Sequence, residues 1–180
     1  MREGLIKNKL YNSDRIVLAK HNGAILVSDS RFIVRLPEMS PVFESRIKFP
    51  AMPVEGEDLV FPQGKVPSTP MGDLWDSTIE KCQSELTVTS WMCKSSPFSD
   101  VFASVLLFED GRRLFANIDY LNILGDWTQD YFHFKGDCTG PRFEHPPFVA
   151  YIEDDPVAVI MPMYLENNLQ DLPPKPQTQE

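Results

Sequence analysis

Near its C-terminus the chain reads Val157-Ala158-Val159-Ile160-Met161-Pro162-Met163-Tyr164-Leu165. Five apolar residues of strand length, reached from the acidic turn Glu153-Asp154-Asp155-Pro156, predict a strand buried on both faces. Pro162 has no amide hydrogen to give to a ladder, so the strand stops there or runs on as an edge. Met161, Met163 and Leu165 then present flexible, polarisable groups. Such groups fill gaps in cores, and they also line surfaces that accommodate varied apolar peptides. Both readings stand at this point.

Three upstream stretches belong with this run. Phe148-Val149-Ala150-Tyr151-Ile152-Glu153-Asp154 reads as a strand and its turn, Phe115-Ala116-Asn117-Ile118-Asp119-Tyr120-Leu121 as a helix start, and Ile25-Leu26-Val27-Ser28-Asp29-Ser30-Arg31-Phe32 as a strand running into a turn. Together they resemble the bacterial DNA polymerase sliding clamp family. There an apolar strand ends in Val-Met-Pro-Met-Arg-Leu or a near variant, a Phe-Asn-x-x-Tyr-Leu pattern opens the last helix, and a Thr-Asp-Gly-His-Arg-Leu turn faces the strand. The His of that turn is missing here and the turn is one residue shorter. The likeness covers about the last fifty residues and a short N-terminal stretch. It implies an α+β fold, a sliding-clamp-like domain with two short helices packed on curved antiparallel sheets. It also implies a hydrophobic peptide groove built from Val159, Met161, Pro162, Met163 and Leu165, with Asp29, Arg31 and Phe32 as the opposite wall.

With 180 residues, 42% of them hydrophobic, the chain can bury a substantial core as one domain. A complete bacterial clamp chain carries three such domains, so this chain closes a ring only by assembling. The expected organisation is a clamp-like domain over residues 1–165 with a Pro-rich insertion at about 37–70, then a disordered tail over 166–180. No apolar run approaches the roughly 20 residues of a membrane span, and the N-terminus lacks a signal peptide's apolar segment. A cytoplasmic protein without a membrane partner is expected. Cys82, Cys93 and Cys138 are too few and too scattered for a disulfide framework and read as small buried hydrophobes.

Along the chain, Arg15 to Lys20 and Ala24 to Ser28 predict strands joined by a tight turn at Asn22-Gly23, and Arg31 to Leu36 a third, which makes a β-meander. Seven prolines between Pro37 and Pro70 forbid long regular elements and leave Ile47 to Phe49 and Leu59 to Phe61 as short edge strands. A helix is expected over Gly72 to Glu85, with Trp75, Ile79, Cys82 and Leu86 on one face. Strands follow at Leu86 to Met92, Val101 to Phe108 and Arg113 to Asn117, the last two joined by a hairpin at Asp110-Gly111. A second helix is expected over Ile118 to Trp127, and further strands at Tyr131 to Phe134, Phe148 to Ile152 and Val157 to Met161.

Charge bears on partners. With 26 acidic against 17 basic residues the chain carries a net charge of -9, so contact with nucleic acid needs a local basic patch. The first predicted helix sets one lysine, Lys81, against Asp73, Asp76, Glu80 and Glu85, and the second has Asp119 and Asp126 with no base. Helices that face phosphates should be rich in Lys and Arg. Lys7, Lys9, Arg112 and Arg113 are the weak candidates for DNA contact, and solvated surface is their alternative reading. His133, Cys138 and His145, with Asp137 or Glu144, form the one metal-capable cluster, in a spacing that matches no common zinc pattern. Cys93 and His21 would need the fold to bring them together as nucleophile and base. No catalytic residue, metal or cofactor is assigned.

The expectation is therefore a non-enzymatic, clamp-like replication protein of reduced, phage or mobile-element type, serving as a processivity factor. Its expected partner is a DNA polymerase or another replication protein, bound through a peptide motif, with double-stranded DNA and a homo-oligomer as open partners. The alternative is a clamp-fold adaptor or decoy that binds replication proteins without encircling DNA. Leu169-Gln170-Asp171-Leu172 in the tail weakly resembles a clamp-binding peptide, which gives the tail a self-docking reading beside that of a solvated one.

Overall fold

The computed structural model describes Ile6, Leu10 and residues 12–36, 52–62, 67–94, 101–129, 131–139 and 146–163. Ten strands lie in chain order: β1 (Ile16–His21), β2 (Ala24–Ser28), β3 (Phe32–Leu36), β4 (Asp58–Phe61), β5 (Ser84–Lys94), β6 (Phe102–Phe108), β7 (Arg113–Asn117), β8 (Phe132–Gly136), β9 (Phe148–Ile152) and β10 (Asp155–Ile160). Helix α1 (Met71–Lys81) lies between β4 and β5, and helix α2 (Ile118–Leu124) between β7 and β8. The strands form a single antiparallel sheet in the order β4-β1-β2-β3-β10-β9-β8-β5-β6-β7. The fold is α+β as expected, but one continuous sheet replaces the expected pair of sheets, because β10 inserts between β3 and β9 and joins the two halves.

Period-two alternation sorts the side chains. Phe32, Val34, Phe134, Phe148, Ala150, Ala158 and Ile160 point to one face, where Tyr120, Leu121, Ile123 and Leu124 of α2 join them. Ile6 and Leu10, helical and fully buried, complete that core. Val17, Leu26, Ile33, Val149, Tyr151 and Val159 point to the other face, under Met71 and Trp75 of α1. The two helices thus cover opposite faces of the sheet.

The sheet is strongly curled. The Met163 amide donates to the Phe115 carbonyl of β7 at 2.7 Å, although β7 lies five strands from β10. In a flat sheet those strands would be roughly 24 Å apart, and the three residues after Ile160 span about 10 Å at most. Only a rolled sheet closes that gap. Phe32 of β3 and Tyr120 of α2 meet across it, with ring centroids 5.3 Å apart.

Both helices end earlier than their apolar spacing predicts. The α1 helix stops at Lys81 and the chain enters β5 at Ser84, because Ser84, Glu85 and Leu86 pair with Gly136, Lys135 and Phe134 of β8. Leu86 is therefore a strand residue and not part of the helix face. Helix α2 stops at Leu124, since Gly125 takes a φ of 112° that continues no right-handed helix, and Trp127 packs against the core from outside it. At its other end Asn117 caps α2, accepting from the Asp119 amide at 2.8 Å. Helix α1 follows Pro70 and has no side-chain cap from its own N-terminal residue. Asp58 of β4 takes that role, accepting from the Met71 amide at 2.9 Å. Of the two expected edge strands, β4 is one, pairing with β1 alone, and Ile47 to Phe49 lie outside the described residues.

Two substitutions test this architecture. Phe148→Ala removes a side chain with no exposure from the central strand pair and should cost about 3–5 kcal/mol in urea unfolding. Asp58→Ala should cost about 1 kcal/mol, the worth of a helix cap; an unchanged midpoint would mean that Asp58 does not secure α1.

Candidate functional site

Beside α1 the described residues leave part of the outer face of the sheet uncovered. Val17 of β1, Ile33 of β3 and Val159 of β10 form an apolar floor, with Met71 of α1 beside them. The cleft they line has a volume of about 230 Å³. A cavity of about 150 Å³ accepts a benzene ring and drug-sized ligands need about 300 Å³ or more, so one or two apolar side chains are the natural load. Its rim carries Leu74 of α1 and Met161, each 44% exposed.

The polar liners are mostly committed to local bonds. Ser28 Oγ accepts from the Ser30 amide at 3.0 Å, and Thr78 Oγ1 donates to the Leu74 carbonyl at 2.7 Å. Arg15 is the one charged side chain among the described residues that line the cleft. The α1 wall is held from two sides. His21 Nε2 lies 3.0 Å from both carboxylate oxygens of Asp76, and a Cβ on Gly72 would stand 2.5 Å from His21 Nδ1, so a glycine lets helix and strand approach closely. At the C-terminal end of α1, the Cys82 thiol donates to the carbonyl of Pro147, itself a liner, at 3.2 Å.

Of the residues expected in a peptide groove, Phe32, Val159 and Met161 line this cleft. Asp29, Arg31, Pro162 and Met163 do not, and Leu165 lies outside the described residues. Asp29 Oδ1 accepts from the Arg31 and Phe32 amides at 2.8 and 3.2 Å, and Oδ2 from the Tyr120 hydroxyl at 3.4 Å, which ties the β2–β3 turn to α2. The hydrogen bond that its guanidinium donates to Tyr120, before any nearby carboxylate, holds Arg31 above its ordinary range. Met163 turns away to pack with Val105, Phe115 and Trp91 on the outer face of β5 to β7. The opposite wall is therefore α1, an element the sequence pattern does not associate with Met161.

The remaining candidates are dispersed. Arg112 bonds Asp110 at 2.6 Å, donates to the Cys138 carbonyl and stacks on Phe108, and Arg113 stacks on Trp91. Lys7 and Lys9 lie outside the described residues. Cys93 faces the Ala103 carbonyl of β6, whereas His21 is bound to Asp76. Cys138 accepts from the Ser84 hydroxyl at 2.7 Å, His133 is exposed beside Trp127 in a separate polar groove, and Glu144 and His145 lie outside the described residues. Cys82 is buried as expected, while Cys93 and Cys138 are only half-buried. No group of three metal-capable side chains converges among the described residues, and none of their helices is long and apolar enough to cross a membrane.

Sequence reasoning missed Arg15, Leu74, Thr78 and Pro147 as liners. One signal was present: Leu74 is an apolar residue off the Trp75, Ile79, Cys82 face of α1, where a solvated residue is expected.

Three buried acidic groups, a thiol and two phenols, give a pH test. Burial, then the nearby Asp137 carboxylate, pushes the Cys82 thiol from an ordinary 9.0 up to about 12, and burial also raises the Tyr120 and Tyr151 hydroxyls. All three keep their protons in the fold after the unfolded chain has released them. Their contribution is fully present below about pH 9 and is lost as pH rises toward 12, by about 1.4 kcal/mol per pH unit for each proton. Urea midpoints should be level through neutral pH and fall above pH 9, and Cys82→Ala should make that fall shallower. No protein-family model, no curated protein and no solved structure matches this chain.

Proposed function

We propose that this protein is a sliding-clamp-like replication protein that binds short peptide motifs of polymerases or other replication proteins in the cleft between α1 and the sheet. One observation carries the reading: the Met-Pro-Met segment delivers a half-exposed Met161 to an apolar cleft whose other rim is the half-exposed Leu74. A pair of open apolar side chains over a 230 Å³ recess is suited to the anchors of an extended peptide. The likeness of residues 148–165 to the clamp signature supplies the partner class.

A second reading, an adaptor or decoy that does not encircle DNA, is favoured by a specific observation. The helices cover opposite faces of the sheet, and α1 exposes Asp73, Asp76 and Glu80 against a single base, Lys81. Such a surface repels a phosphate backbone. Arg112 and Arg113 are already engaged with the protein's own groups.

A titration with a polymerase-derived clamp-binding peptide, with mass followed by light scattering in the same samples, tests both readings. Wild type should bind, and Met161→Asp should lose about tenfold or more in affinity, the worth of one buried apolar contact, while melting normally. A ring-sized oligomer that binds the peptide supports a processivity factor; a monomer that binds it supports the adaptor. Absence of binding, or equal binding by Met161→Asp, removes the peptide-groove reading.

A further inference from the structure

The tip of the β1–β2 hairpin sets a chemically labile pair against the tie that holds α1. Asn22 and Gly23 close the turn between His21 and Ala24 with φ of 50° and 75°, the left-handed pair that a two-residue hairpin requires. Both residues are exposed, and no heavy atom lies within 4 Å of where a Gly23 Cβ would stand. Among the chain's asparagines Asn22 alone precedes a glycine, so the next backbone nitrogen is shielded by no side chain. A local opening of the turn brings that nitrogen to the side-chain carbonyl carbon of Asn22, and exposed hairpin tips open at low cost. A nitrogen–carbon bond then forms and closes a five-membered imide, while the bond from that carbon to the amide NH2 breaks and ammonia leaves with the proton of the Gly23 N–H. Water opens the imide at either carbonyl and gives aspartate or isoaspartate at position 22. The sum is amide plus water to carboxylic acid plus ammonia, which needs water alone.

The position of the new charge gives the reaction a consequence. Asn22 Nδ2 lies 3.1 Å from His21 Nε2, the same nitrogen that lies 3.0 Å from both oxygens of Asp76. A carboxylate in place of the Asn22 side-chain amide would stand within roughly 6 Å of the Asp76 carboxylate, where like charges repel. In the neutral ring one Nε2–H cannot serve both. Glu55, whose Oε1 accepts from the Asn22 backbone amide at 2.6 Å, already holds another carboxylate at this tip. The isoaspartate product also adds a methylene to the main chain of a turn whose length fixes the register of His21 with Ala24. We propose that Asn22 is a deamidation site and that its product carboxylate loosens the His21–Asp76 tie between β1 and α1. Because α1 walls the cleft and Asn22 is not among the cleft's liners, the conversion acts on the cleft from outside it, whatever the cleft binds.

Trypsin releases residues 21–31, whose one asparagine is Asn22, and residues 10–15, whose one asparagine is Asn12, so each site reports separately. The intact chain is held in warm, mildly alkaline buffer, and peptides from successive samples are followed by mass spectrometry. The 21–31 peptide should gain one mass unit about tenfold faster than the 10–15 peptide, in which Ser13 follows the asparagine. In Asn22→Gln, whose ring closure would be six-membered, the gain should vanish. Modified protein, separated by anion exchange on its added charge, should exchange the amide hydrogens of residues 75–81 about tenfold faster than unmodified protein, with β9 and β10 unchanged and melting still cooperative. Asp76→Asn lacks the tie from the start, so its α1 should exchange fast before incubation and change little after it, and His21→Gln gives the same comparison from the other side of the tie. A 21–31 peptide that changes no faster than the 10–15 peptide would overturn the site. Modified wild type whose α1 exchanges as the unmodified chain does, or an equal acceleration in Asp76→Asn, would overturn the link to His21 and Asp76.

Discussion

Burial of both faces of β9 and β10 is the constraint from which the other elements take their positions. Phe148, Ala150, Ala158 and Ile160 enter the core shared with α2, while Val149, Tyr151 and Val159 enter the layer beneath α1. A strand buried on two sides needs a cover on each, and α2 lies over one face and α1 over the other. Because β10 pairs with β3 on one side and β9 on the other, it also joins the N-terminal meander to the C-terminal half in one sheet. That sheet then rolls until the residues after β10 reach the β7 edge, and the Met163 to Phe115 hydrogen bond records the closure.

The cleft is a consequence of the same arrangement. Helix α1 is eleven residues long, and among the described residues it leaves the strand ends around Val17, Ile33 and Val159 under an open rim. Its position is set by tertiary ties of modest individual worth: Asp58 to the Met71 amide, His21 to Asp76, and the Cys82 thiol to Pro147. Each comes from a different stretch of sequence. The recess is therefore floored by the sheet and walled by a helix held at both ends.

The charge distribution separates two kinds of contact. Leu74 and Met161 are exposed at the rim of the cleft, and acidic groups dominate the exposed face of α1. Among the described residues, Arg112 bonds Asp110 in the turn before β7 and Arg15 lines the cleft.

Local rules account for much of this. Alternating apolar residues placed the strands from β1 to β3 and from β6 to β10 within a residue or two, Asn22-Gly23 and Asp110-Gly111 marked their hairpins, and continuous apolar character marked β10 as buried on both faces. Those properties depend on neighbours in sequence, through side-chain period and turn geometry. The helix ends were not legible in the same way, because Ser84 to Leu86 have a helical pattern but gain more from pairing with β8, a strand some fifty residues away. The union of two halves in one sheet, the sorting of α1 and α2 to opposite faces and the curl also depend on distant pairings. So does the site: Phe32, Val159 and Met161 were legible from the Met-Pro-Met strand and the turn before β3, but their partners Arg15, Leu74 and Pro147 are brought beside them only by the sheet and by the docking of α1. Sequence by itself determined the strands, the turns and the apolar character of the C-terminal segment, since these follow from local sterics and periodicity; tertiary structure alone decided which wall faces Met161, because a cleft exists only where surfaces far apart in the chain fail to cover one another.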